Sequence, residues 1–183
     1  MSTAESPVTS PVVPPPPGWA QRLPRDERVF LWVILAVGVV MCAISLAWLW
    51  LGDQNVPSNS YRTTPEAWSA RVSAWAGKHT DARGRAVVPP GEDGYIMAAR
   101  YQFYPNPIVV KAGQKTTLWI SSVDVLHGYS IVGGHQNLNL EIAPEHAFAV
   151  TITTDKPGTY LVVCNEYCGL QHHSMQGQII VER

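Results

Sequence analysis

Cys164-Asn165-Glu166-Tyr167-Cys168-Gly169-Leu170-Gln171-His172-His173-Ser174-Met175 is the stretch on which the fold turns. These residues include two thiols, the imidazole of His172 and a thioether. The stretch follows the β-branched and aromatic run Tyr160–Val163 and precedes a second run, Gln178–Val181. That pattern predicts a loop joining two neighbouring strands, and a rigid strand pair holds side chains in a fixed geometry. Thiolates and thioethers are soft donors that suit copper, zinc or iron–sulfur chemistry rather than magnesium or calcium. Met175 discriminates further, because zinc sites seldom use methionine whereas copper electron-transfer sites often carry a weak axial one. A second imidazole is available upstream at His127, in Val123-Asp124-Val125-Leu126-His127-Gly128.

Several chemistries fit part of this set. A Cys164–Cys168 disulfide suits an oxidising compartment but leaves His127, His172 and Met175 unexplained. Zinc bound by two cysteines and two histidines leaves Met175 idle. A mononuclear blue-copper site needs one cysteine, so Cys168 is surplus. Two coppers bridged by both thiolates use every donor. His173 adjoins His172, but the spacing selects His172. His79, His135 and His146 fall in loop-like contexts and read as surface residues.

Outward from the loop, short runs rich in β-branched and aromatic residues repeat from Tyr95 onward. They are Ile108–Val110, Thr116–Ile120, Tyr129–Val132, Leu138–Ile142, Phe148–Thr153, Tyr160–Val163 and Ile179–Val181. Gly, Pro, Asn or Asp punctuates them at intervals of about ten residues, which predicts an antiparallel sandwich. Asp155-Lys156-Pro157-Gly158 reads as a hairpin turn. Residues 93–183 are thus expected to form one β domain. Residues 53–92 read as a connector. Thr64-Pro65-Glu66 supplies helix-start chemistry, and Trp68, Val72 and Trp75 share one face of a short helix ending near Gly77. That face suits packing on its own domain or docking on a partner. Asp81–Gly94 reads as a loop.

The run Val29–Gly52 holds 24 residues and no charge. As a helix it covers about 36 Å, enough for a hydrocarbon core of about 30 Å. Trp32, Trp48 and Trp50 lie near its ends, as in an aromatic belt. The run is too long for a cleaved signal peptide, and no small-x-small site follows it. Cys42 sits mid-run without the small residue that precedes a lipidated cysteine, and reads as an inert thiol. Arg22, Arg25 and Arg28 flank the N-terminal side, while the other side opens with Asp53 and has no Lys or Arg before Arg62. The positive-inside rule then places the N-terminus in the cytoplasm and residues 53–183 outside. Residues 1–28 form a proline-rich tail that builds no core. The net charge of -1 and the lack of a P-loop argue against nucleic-acid and nucleotide binding.

The motif Cys164-x-Glu166-x-Cys168-Gly169-x-x-His172-x-x-Met175, with Asp124-Val125-Leu126-His127 upstream, resembles the CuA motif of cytochrome c oxidase subunit II over residues 93–183. The single span, and Tyr104-Pro105-Asn106-Pro107-Ile108, are similar to the one-helix branch found in B-type heme-copper oxidases. The resemblance implies an all-β, cupredoxin-like Greek-key sandwich with one N-terminal transmembrane helix. It implies that Cys164 and Cys168 bridge two coppers, that His127 and His172 each cap one, that Met175 is a weak ligand, and that Glu166 binds through its backbone carbonyl. In many members this glutamate position also helps hold magnesium at the subunit I interface. The resemblance further implies a cytochrome c or small copper protein as donor, and as partner a heme-bearing subunit I, with further membrane subunits. The complex would sit in a bacterial or archaeal inner membrane and reduce oxygen, or in a rival reading nitric oxide. A stand-alone tethered copper carrier or copper chaperone is the other alternative. Tyr101 and Phe103, aromatics just before a strand, are candidate electron-uptake residues, with ordinary sandwich core or rim as the alternative.

Overall fold

The computed structural model describes residues 22–52, 57–133 and 138–183. The proline-rich tail and His135 lie outside these described residues. The chain divides into two units, residues 1–53 and 54–183.

The first unit is a helix, α1 (Arg25–Leu51). It begins four residues before the expected start, because Pro24 ends the extended approach and its carbonyl accepts the Arg28 N–H at 3.0 Å. Arg25, Asp26, Glu27 and Arg28 thus form a charged first turn. None of its residues is buried. An apolar helix with nothing packed around it is expected where lipid is the solvent. Even Ser45 is satisfied within the helix, its hydroxyl donating to the Met41 carbonyl at 2.9 Å.

The second unit is a two-layer sandwich. Its elements in chain order are β1 (Asn59–Arg62), α2 (Pro65–His79), β2 (Ala86–Val87), β3 (Gly94–Ala99), β4 (Gln102–Tyr104), β5 (Ile108–Lys111), β6 (Lys115–Ser122), β7 (His127–Val132), β8 (Asn139–Ile142), β9 (His146–Thr153), β10 (Gly158–Val163) and β11 (Gln176–Glu182). One sheet has the order β1-β9-β6-β3-β4, the other β2-β5-β11-β10-β7-β8. Alternation decides the layers: in β3, Ile96 and Ala98 turn into the core while Tyr95 and Met97 face outward. The core holds Ile108, Leu118, Ile120, Tyr129, Ile142 and Ile179 between the sheets. Phe103 meets Tyr129 edge-on there, ring centroids 5.2 Å apart.

Helix α2 starts as its sequence prescribes, with the Thr64 hydroxyl accepting the Ala67 N–H at 3.2 Å. It runs to His79, two residues past Gly77. Its apolar face is consumed by its own domain. Trp68 and Val72 pack with Ala147 over Tyr61, Tyr95, Met97 and Trp119 on the outer face of the first sheet. The Trp68 Nε1–H donates to the Ile96 carbonyl at 3.1 Å.

Four expectations are corrected. The stretch read as a connector supplies β1, which pairs with β9, and the stretch read as a loop supplies β2, which pairs with β5. Both strands are too short to show a period of their own. The sandwich is not purely antiparallel, since β3 pairs with β6, and β5 with β11 and β2, in parallel. The chain leaves the first sheet for β5 and returns for β6, which brings β6 back alongside β3 in the same direction. Asp155–Gly158 is not a hairpin turn, because β9 and β10 belong to different sheets. His79 and His146 are element ends rather than loop residues.

Candidate metal centre

The β10–β11 pair runs from Gly158↔Val181 to Val163↔Gln176. One step beyond its end, the Cys164 N–H donates to the Met175 carbonyl at 3.2 Å. The loop therefore closes a hairpin, and register alone sets its first and last donors opposite each other. Inside the loop Gly169 adopts φ +133, which an L side chain rarely tolerates. A 3₁₀ turn at His172–Ser174 then folds the chain back, with the His172 N–H on the Gly169 carbonyl. On the other side, β10 pairs with β7, whose first residue is His127.

The outcome is a line of donors. The thiol sulfurs of Cys164 and Cys168 stand 3.8 Å apart. Nδ1 of His127 lies 3.8 Å from the Cys164 sulfur, and Nδ1 of His172 lies 3.7 Å from the Cys168 sulfur. The Met175 sulfur is 3.7 Å from that of Cys168, and the Glu166 carbonyl oxygen is 3.2 Å from that of Cys164. Two ligands each about 2.3 Å from a shared tetrahedral metal stand about 3.8 Å apart. The donors therefore fit metal ions without rearrangement. A disulfide requires about 2.05 Å, and both cysteines are free thiols. Among the described residues, His127, Cys164 and Cys168 are the one group of three His, Cys, Asp or Glu with ligand atoms mutually within 4.8 Å.

The surroundings are dry. His127 is fully buried, Met175 and Cys168 nearly so, and His172 is half-buried. Burial pushes the Cys168 thiol up to about 11, and the adjacent Cys164 sulfur adds to the shift. The Cys168 thiol thus stays neutral until a metal displaces its proton. The His127 imidazole is oriented by Asp124, whose Oδ1 is 2.8 Å from Nε2. With Nε2–H donating to that carboxylate, Nδ1 offers its lone pair to the centre. Burial opposes ionisation of Asp124, yet hydrogen bonds from His127 and from the Arg100 and Val125 N–H groups outweigh it and hold the pKa below the usual carboxylate value.

Of the two candidate electron-uptake residues, Phe103 takes the core position that was the alternative for it. It is 4% exposed, inside the sandwich, where its ring fills space beneath Gly177. Tyr101 is half-buried against Gly169. The most exposed apolar groups at this end are Tyr167 and Leu170, at 69% and 87%. Two supporting residues were not singled out from sequence. Asn165 fills the place where a Gly128 side chain would go and donates to Asn139 Oδ1 at 2.6 Å. Arg100 bonds to both Asp124 and the Cys168 carbonyl. Only the proximity of Asn165 to Cys164 hinted at any of these.

Residues 87–183 match the family model for the periplasmic domain of cytochrome c oxidase subunit II. Cytochrome c oxidase subunit 2 of Thermus thermophilus is 39% identical over 101 residues, covering 54% of this chain and 73% of that one. A second sequence of that name, from a Thermus thermophilus strain, shows the same identity and is covered over 59% of its length. A nitrous-oxide reductase of Stutzerimonas stutzeri is 29% identical over 92 residues, 14% of its length. Among solved structures, a chain of a heme-copper terminal oxidase dimer superposes with a TM-score of 0.55 at 25% identity, over 86% of this chain and all of that one. Fold and donor set together define a copper-binding, cupredoxin-like domain carried with an apolar helix fit to span a membrane. The chain belongs to the cytochrome c oxidase subunit II family. It is the electron-accepting subunit of a heme-copper oxidase, membrane-anchored with an external domain, and works with other subunits of that oxidoreductase.

Proposed function

We propose that the centre holds a CuA-type copper pair, with Cys164 and Cys168 as bridges, His127 and His172 as one cap each, Met175 as a weak ligand and Glu166 through its carbonyl. One observation carries the reading: the two thiols are adjacent and each imidazole sits beside a different one. A mononuclear site would draw both imidazoles to one sulfur. A copper pair supplies a one-electron site whose charge is shared between two metals. The chain's residues keep that site rigid. Asp124 fixes the His127 tautomer, the hairpin register fixes Cys164 against Met175, and burial of both thiols and Met175 excludes water. Glu166 enters through its main chain. Its half-buried side chain is the position at which magnesium would bind at the interface with subunit I.

A soluble cytochrome c or small copper protein would dock on the ligand-loop face, where Tyr167 and Leu170 are exposed, with Tyr101 beneath them at the loop. Electrons would then pass to heme in subunit I for reduction of oxygen. In this reading residues 1–28 are cytoplasmic, 29–52 span the membrane and the copper domain faces the periplasm or outer surface. The arginine flank supports that orientation. A nitric oxide reductase differs in its partner subunit, and gas consumption by the purified complex separates the two. The copper reading is tested on the detergent-solubilised full chain. Two coppers per chain with a mixed-valence EPR signal spread over both metals are expected. One copper with a localised signal, or none, would sink it.

A further inference from the structure

The two halves of the centre come from distant parts of the chain, and one residue reaches both. Arg100 sits between β3 and β4. Its main-chain N–H donates to Asp124 Oδ2 at 2.8 Å, and the other oxygen of that carboxylate faces His127 Nε2 at 2.8 Å. Its side-chain Nε–H donates to the Cys168 carbonyl at 3.1 Å. The next residue, Tyr101, lays its ring on Gly169, the neighbour of Cys168. The β3–β4 turn thus grips the ligand loop and the His127 loop at once. Groups that hold metal ligands from behind fix their orientation and tune the metal.

Resting on the copper reading above, we propose that Arg100 is a positioning residue that ties the Cys168 segment to the His127 segment and raises the reduction potential of the bound copper. The sign follows from charge. Reduction adds one electron and lowers the positive charge of the centre. A fixed guanidinium nearby destabilises the more positive, oxidised state, and so favours reduction. Arg100 is exposed, so water screens it. A charge on the order of 10 Å away, so screened, shifts the reduction equilibrium about threefold to tenfold. For one electron that is about 30–60 mV, at about 59 mV per decade. The main-chain bond to Asp124 survives any side-chain change, so substitutions isolate the guanidinium.

The test uses the copper-loaded full chain in detergent, with Arg100→Met and Arg100→Lys. Spectroelectrochemical titration gives the potential, and a chelator gives the rate of copper release. Arg100→Met is expected to lower the reduction equilibrium constant about threefold to tenfold and to speed copper release. Arg100→Lys keeps the charge but lacks the planar fork, so its potential stays within about twofold of wild type while copper release is still faster. A wild-type potential in a fully loaded Arg100→Met chain overturns the proposal. So does an Arg100→Lys potential as low as that of the Met variant. If Arg100→Met takes up no copper, Arg100→Lys decides: faster release supports the tie, unchanged release refutes it. A wild-type chain that holds a single copper sinks the paired reading instead, and the Arg100 comparison is then read on that one metal.

Discussion

The two imidazoles of the centre are held in unlike ways. His127 begins a strand, is fully buried, and has its outer nitrogen on the Asp124 carboxylate. His172 opens a 3₁₀ turn, is half-buried, and lies 5.8 Å from the exposed Tyr167 ring. The first is part of the scaffold, and the second is part of the surface. A centre that must be rigid on reduction yet reachable by a partner gains from that division. The buried half sets geometry, and the open half shortens the distance to whatever docks.

The division is testable. His127→Ala removes a buried ring and strands a carboxylate, so the metal-free chain should lose about 2–4 kcal/mol of stability as well as its copper. His172→Ala should lose copper affinity with about 0.5 kcal/mol or less of apo stability. Thermal unfolding of the two apo variants reads the contrast, and equal losses would abolish it. Gly128→Ala comes next, because the new methyl meets Asn165 beside Cys164. A cost of about 1–3 kcal/mol is expected, with impaired copper loading, measured by denaturant titration and metal content.

On the open half, Tyr167→Ala and Leu170→Ser should leave stability within about 0.5 kcal/mol and the copper spectrum intact. Stopped-flow mixing with a reduced donor should nonetheless show slower electron uptake, and wild-type rates in both would move docking elsewhere. The smallest effect is a control remote from both halves. Asp81 accepts N–H groups from Arg85 and Arg83 and pairs with the Arg85 guanidinium at 2.8 Å. Hydrogen bonding by the Arg85 N–H leads the causes that lower its pKa, against a smaller opposing effect of burial. A carboxylate depressed in the folded state stabilises it above the unfolded pKa, and that contribution fades as pH falls through the folded value. Asp81→Asn should flatten this acid limb slightly while copper uptake is unchanged. Altered uptake would show that the two sites are coupled.

Much of the fold could be read from residues 108–181, because strands there are long enough to carry an alternating pattern. The ligand loop was legible for a chemical reason: soft donors cluster in twelve residues. What escaped was relational. Sequence left Phe103 open between electron uptake and sandwich core, and only β4 decides it, since its neighbours face outward while it turns into the core. The sheet-switching at Asp155–Gly158 escaped too, since a turn motif reports a local bend and not which layer the chain joins next.

Sequence alone determined the apolar span, the capped helix α2, the strand series and the donor set, because each depends on contacts within a few residues or on side-chain chemistry itself. The tertiary structure alone decided which donors meet. His127 and Cys164 are 37 residues apart, and β7 beside β10 makes them neighbours. It also decided that Arg100, which no motif marks, reaches the centre. Long-range proximity is a property of sheet order and register, and neither is written in any short stretch of chain.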